Sequence, residues 1–289
     1  MSYPERQAVK TLAITLLFLL AASTLLFAAA AVQEIEKRFR PDPDRPLLVR
    51  VRGDGAEVEI ASPERVREGR ARYRCDPRHF SGSLVFDAEE NLISAGLDMD
   101  GLNREDSGDS PSELSVLVPR GQRVALDCSM KAGMVDLDGE GMVFEDLGLK
   151  LWAGEMSARF PVVSPGHMKR VVVDVKMGET DLEGLGNLAF RELDVNGFVG
   201  EITLDFRGSL RMRRRARVDL EMGSITVCVP AGMAVEARIG KMGFLAEVDI
   251  PGGWSSEGKY AFSPTARGQE PDLLLDIRGG IGEIKILER

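Results

Sequence analysis

The sequence predicts an all-β protein whose carboxy-terminal two-thirds is a β-solenoid, and three observations carry that expectation. First, an apolar residue, a glycine and an alternating strand recur together, as in Lys176-Met-Gly-Glu-Thr-Asp-Leu182. Second, the steps between Gly133, Gly154, Gly178, Gly200, Gly223, Gly243 and Gly282 are 21, 24, 22, 23, 20 and 39 residues, the last near two periods. Third, the repeat holds strands and turns but no helical stripe, as expected for stacked units that bury their apolar faces only against neighbours.

The glycine has a stated job in this reading. The residue before it is apolar every time (Ala132, Ala153, Met177, Val199, Met222, Met242, Ile281), and apolar residues mostly return two and four places after it. Strand side chains alternate faces with period two, so these positions do not share one alternation. A bend at the glycine that leaves two consecutive residues outside flips the phase, and glycine tolerates the backbone angles this needs. Met130, Met134, Met142, Met156, Met177, Met222 and Met242 are then read mostly as core filling. Around Gly243, Glu247 falls on the inward phase, which predicts a one-residue slip of register.

Composition sets the outer bounds. The chain has 289 residues, 44% of them apolar, enough for one large or two modest domains. Thirty-one glycines against 14 prolines point to turn-rich β-structure, not disorder. A net charge of −9 argues against a nucleic-acid partner. Cys75, Cys128 and Cys228 show no metal-ligand spacing and read as buried or free thiols, although a Cys75–Cys128 bridge is compatible with an oxidising compartment.

Taken in order, residues 1–40 hold a short tail, an apolar segment and a helical extension. Leu12 to Val32 is a run of 21 residues without charge, long enough as a helix to span a hydrocarbon core. It reads as a membrane anchor or a long signal peptide; its length favours a retained anchor, while Ala28–Ala31 supply a small-residue cleavage site. Flanking positive charges tie, and the short leading tail places the amino terminus in the cytoplasm and the β body outside it. Gln33–Arg40 is expected to continue the helix, and the prolines of the 41–46 linker to end it. In the 47–112 region, Leu47–Arg52, Ala56–Ile60, Ala71–Cys75, Ser83–Asp87 and Leu92–Met99 read as short strands without the 22-residue period, and Gly101–Pro111 as a dividing loop. The 113–289 region opens on an alternating strand that turns at Pro119-Arg-Gly121, and the same strand, Pro-x-Gly turn and strand recur over Ile225–Ile239.

This order of parts, closed by Leu273-Leu-Leu-Asp-Ile-Arg-Gly-Gly-Ile-Gly-Glu-Ile-Lys-Ile286, resembles the toastrack-type bacterial domains of adhesin-like and cell-wall-active antibiotic response proteins. The resemblance covers about residues 113–289 and implies a right-handed single-stranded β-solenoid. It also implies frequent membrane tethering, a place in envelope stress signalling or surface interaction, and no enzymatic activity or catalytic residues. A single leading apolar segment and an extra amino-terminal region depart from many such proteins.

Candidate chemistry is sparse. Glu155, Glu179, Glu201 and Glu283 each follow a repeat glycine, so three of them would stack about 4.8 Å apart. Charges at that spacing repel by roughly 0.9 kcal/mol in water, and a solvated face explains such a row more simply than an ion site or a glycosidase pair. Arg207, Arg211, Arg213, Arg214, Arg215 and Arg217 form the one strongly basic run, suited to phosphate or carboxylate on an anionic lipid or cell-wall polymer, or else an exposed turn offset by acidic neighbours. His79 and His167 read as surface or loop residues, and Trp254 as a loop residue that either caps the solenoid or meets a partner. The expectation is a single-pass bacterial membrane protein with no catalytic activity, cofactor or metal, a sensor or scaffold for a membrane-protein partner or an anionic envelope component. A homo-oligomer is compatible. The contrasting readings are a self-assembling, bactofilin-like polymer and, less favoured, a β-helix carbohydrate enzyme.

Overall fold

The structure is a computed structural model describing residues 32–64, 67–99, 112–209, 212–241 and 245–289. Alternating sequences in the first part give β1 (Gln33–Phe39), β2 (Leu47–Gly53), β3 (Ala56–Ala61), β4 (Gly69–Cys75), β5 (Phe80–Asp87), β6 (Leu92–Met99) and β7 (Ser112–Leu117). The repeat gives the long strands β8 (Arg123–Asp138), β9 (Val143–Arg159), β10 (Ser164–Glu183), β11 (Leu188–Asp205) and β12 (Arg214–Val229). Last come β13 (Val235–Lys241), β14 (Ala246–Asp249), β15 (Ser255–Glu257), β16 (Tyr260–Phe262) and β17 (Leu273–Glu288). All belong to one sheet. Among the described residues no helix is long and apolar enough to cross a membrane, and the expected anchor lies, apart from Val32, outside the described residues.

The repeat is a stack of parallel strands in register. Gly133 pairs with Gly154, Gly154 with Gly178, Gly178 with Gly200, Gly200 with Gly223, and Gly223 with Gly282. Each strand bends at its glycine, so both halves line one core. In β10, Val171, Val173 and Val175 are buried before the bend and Thr180 and Leu182 after it. The predicted phase flip is therefore present, but the residues around it are placed differently. Lys176, Met177, Gly178 and Glu179 all stay out of the core, and the inward residue before the glycine stands three places away, not one. Met177, Val199, Met222 and Ile281 are exposed, as is Met134, which corrects the expectation that these positions fill the core; Met130, Met142 and Met156 do fill it.

Both ends of the stack are built from broken coils. β2 and β3 together lie along β8, with Val51 opposite Cys128 and Ala56 opposite Gly133, so the 47–112 and 113–289 regions share one sheet. β6 and β7 form the next layer, and β5 and β4 pair antiparallel beyond them. The 41–46 segment is tied to the body by buried Asn91, whose side chain accepts from Asp42 N at 2.9 Å and donates to Pro46 O at 3.1 Å. Gln33–Phe39 is a strand and not the expected helical extension: it pairs antiparallel with β4, and Phe39 is buried with its ring 5.2 Å from that of Phe86. Edge hydrogen bonds to a partner strand override the local helical pattern.

At the other end β17 enters between β12 on one side and β13 and β14 on the other. The position opposite Gly282 on that far side is Ala246, three residues beyond Gly243, which itself lies outside the described residues with Met242. Five residues separate Lys241 from Ala246 where three separate their partners Gly279 and Gly282, so the strand carries two extra residues in place of the expected slip of one. The β15–β16 hairpin covers β13, and Trp254 is buried there, donating to Glu288 Oε2 at 3.0 Å. His79, expected at the surface, is buried.

Glycine is required at the bend by space as well as by angle. Gly178 has φ 134°, and a Cβ there would lie 1.7 Å from the carbonyl oxygen of Gly154 in the coil below. Replacing Gly178 by Ala therefore forces the coils apart, and a loss of roughly 2–4 kcal/mol is expected in urea unfolding. Gly252→Ala, with no atom within 4 Å of the added methyl, is the control and should shift stability by no more than about 0.5 kcal/mol.

Candidate interaction surface

The bend turns one row of each coil outward, and stacking repeats that row from coil to coil. Immediately before the glycines run Ala132, Ala153, Met177, Val199, Met222 and Ile281, with side chains of consecutive coils paired in register. Met177 is 45%, Met222 47% and Ile281 42% exposed. One place further back, Trp152 at 62% and Phe198 at 49% flank exposed Lys176 and widen the row on either side of it. Contiguous exposed apolar side chains on this scale mark interaction sites more often than scattered ones do. Over Phe198, Val199, Met222 and Ile281 the surface dips into an open groove of about 740 Å³ that also touches Asp219, Glu221 and Arg278.

Immediately after the glycines lies an acidic row. Glu155, Glu179 and Glu201 are direct neighbours, Ser224 interrupts, and Glu283 and Glu247 follow. The sequence predicted the stacked trio. None of the five lies within 4.0 Å of a Lys or Arg nitrogen in an ion pair among the described residues. No group of three or more His, Cys, Asp or Glu side chains among the described residues is placed to hold a metal ion. The corner thus displays an exposed apolar strip, interrupted one place back by Lys131 and Lys176 and flanked by glutamates without close ion pairs among the described residues.

The basic run is divided by the fold. Arg207 donates from Nε and Nη2 to Asp205 Oδ2 at 2.9 and 2.6 Å, and Arg213 pairs with Glu270 at 2.9 Å. Arg214 is buried, its guanidinium 5.3 Å from the Phe190 ring centroid and its Nη2 donating to Gly186 O and Leu188 O. Arg215 and Arg217 point outward on the same face of β12. They line a hollow of about 250 Å³ with Arg170, Glu192 and Asp194. Within it Asp194 receives Arg170 at 2.5 Å and Arg217 at 3.6 Å. Arg211 lies outside the described residues. Two of the six arginines thus come together, joined by Arg170, which the linear run did not contain.

A second hollow, about 630 Å³, opens where the coils turn and is lined by Asp138, Glu140, Arg159, Glu183, Asp205 and Arg207 among others. Close by, Asp181 Oδ1 is buried without a hydrogen-bond partner. Burial, with Glu183 and Asp205 near, pushes this carboxyl above the usual aspartate range. A value raised in the folded state means that the ionised form costs stability above that range, and the cost fades as pH falls through it. Asp181→Asn should raise the urea midpoint at about neutral pH, with the gain vanishing towards about pH 4, as unfolding curves at both pH values would show.

All three cysteines are free and buried, and burial pushes the Cys128 thiol up to about 12. No family model matches the chain, and no curated protein matches it. Among solved structures, it is similar to a candidate cell adhesion protein from Clostridium sporogenes at 13% identity and TM-score 0.45, covering 89% of this chain and 100% of that one. It is likewise similar to a candidate adhesin from Bacteroides fragilis at 11% identity and TM-score 0.39, covering 88% and 97%. A candidate lipid-binding protein from Parabacteroides distasonis aligns at 10% identity and TM-score 0.31, covering 90% and 95%. At these scores no residue role passes from those proteins to this one.

Proposed function

We propose that this chain is a membrane-anchored, non-catalytic protein of the bacterial envelope, a sensor or scaffold whose right-handed single-stranded β-solenoid displays a rigid surface outside the cytoplasm. The observation that supports this most is the in-register corner, where six stacked coils repeat an apolar row and four of them carry a glutamate beside it. Surfaces repeated at fixed spacing suit recognition of an extended or multivalent target. Catalysis calls instead for unlike groups converging in a cleft. The resemblance to adhesin-like and envelope-response domains points the same way. Arg215 and Arg217, with Arg170, form a secondary contact for an anionic envelope polymer or headgroup.

Alkaline carbonate extraction of membranes, followed by protease added outside intact cells, tests the main reading. The chain should stay with the membrane and its β body should be cut from outside. Recovery in the soluble fraction, or full protection of the body, would count against it. Turnover of a cell-wall glycan that vanishes in Glu179→Gln would overturn the non-catalytic assignment. For the secondary contact, Arg215→Ser combined with Arg217→Ser should weaken retention on a phosphate-bearing polymer about tenfold or more, while Arg120→Ser at a distant turn should not.

The polymer reading keeps one observation in its favour. Among the described residues β1 pairs only with β4, and β14 only with β17, so each leaves one edge open to a further strand. Against it, the β15–β16 hairpin covers the adjoining half-coil. Sedimentation of the detergent-solubilised chain separates the two: one discrete species supports the scaffold, and a broad distribution that lengthens with concentration supports the polymer.

A further inference from the structure

The apolar corner row and the apolar run ahead of the fold meet in one line. Gln33 pairs with Cys75, and Cys75 with Ser112. The next residue, Glu113, pairs with Glu57, whose neighbour Ala56 pairs with Gly133. Gln33 therefore stands in the glycine column of the stack. Two antiparallel steps, from β1 to β4 and from β4 to β7, leave β1 running in the direction of the coils. Val32, one place before Gln33, accordingly falls in the row of Met177, Val199, Met222 and Ile281, and it too is exposed at 41%. Val32 is also the last residue of the apolar run that starts at Leu12. Between Val32 and Ala132 the row passes Gly55 and Asp76, whose buried carboxylate is paired with Arg78 at 2.6 Å, and position 111 between those two lies outside the described residues.

From this alignment we infer that the corner row is a bilayer contact: the solenoid lies along the surface of the membrane that takes up Leu12–Val32, with Trp152, Met177, Phe198, Met222 and Ile281 in the interfacial layer. The inference rests on the anchor reading given above and adds the face that meets the lipid. A row about 24 Å long over the six coils stands in line with Val32, where the apolar run ends, so a bilayer holding that run would lie near its end. Trp152 and Phe198 supply the aromatic side chains favoured at the interface. The adjoining glutamates, which outnumber Lys131 and Lys176 at the corner, set the lipid class, because their carboxylates repel an anionic surface more than a zwitterionic one.

The test uses the full chain in phosphatidylcholine vesicles with brominated acyl chains. Trp152 and Trp254 are the two tryptophans, and Trp254 is buried, so subtracting the spectrum of Trp152→Phe isolates the corner signal. Bromine should cut that signal at least twofold. Met177→Ser with Met222→Ser should restore most of it, and adding phosphatidylglycerol should weaken the quenching. A chain that resists alkaline extraction while Trp152 escapes bromine and stays open to aqueous iodide retains its anchor and overturns the bilayer contact. Release by alkali of a chain that had been quenched overturns the anchor and upholds the contact; release without quenching overturns both. Concentration-dependent disulfide cross-linking between copies of a Val199→Cys variant, with no bromine effect, assigns the row to a second copy of the chain and overturns the inference.

Discussion

A backbone without side chains at one column is the constraint on which this molecule depends. Each glycine of the corner presses where its Cβ would be onto the carbonyl of the residue beneath, at 1.7–2.1 Å across the column from Ala56 to Gly282. Only a missing methyl lets one coil settle on the next at strand spacing while its own strand bends. The column runs unbroken through the six full-length coils. It gives way to alanine, Ala56 and Ala246, where a coil is split into two shorter strands. Register follows from this contact: once glycine faces glycine, the residues on either side must line up in rows. Those rows are the surface the protein offers.

The rest of the outer face is arranged differently from the corner. Ion pairs cross from coil to coil along it, including Arg123 with Glu145, Arg170 and Arg217 with Asp194, Arg278 with Asp219 and Arg238 with Asp276. Most of these side chains are about half exposed, so each pair is worth little, on the order of 0–1 kcal/mol. Their effect is to set charges of opposite sign beside one another along that face. At the corner the glutamates lack such partners, and the apolar strip lacks cover. Two surfaces of opposite character therefore share one scaffold, and the difference lies only in which outward positions received a complementary charge.

The sequence carried the repeat, the stacked glutamates and the strands between Leu47 and Met99, because period-two alternation and turn residues are local signals. Orientation at the bend was harder. An apolar residue before every glycine suggested burial, and the neighbours that argued otherwise, Lys131, Lys176 and Glu221 one place back with the glutamates just beyond, stand on both sides of it. Four successive outward residues have no counterpart in a simple alternation. The antiparallel pairing of Gln33–Phe39 with β4 could not be read locally either, since its partner is about forty residues away and its own pattern admits a helix. The gathering of Arg215 and Arg217 with Arg170 depends on the register of β10, β11 and β12, and a linear run of arginines says nothing of that.

The position of β17 bears on how the molecule comes to be assembled. In a solenoid wound strictly in chain order, each new coil can close onto the one made before it as the polypeptide emerges. Here the level between β12 and β13 is filled by a segment synthesised after both. Until Leu273–Glu288 arrives, two facing rows of backbone amides and carbonyls stay without their native partners. A nascent chain would thus hold an open slot until Leu273–Glu288 slides home, and completion of the fold doubles as a check that the whole of this region has been made.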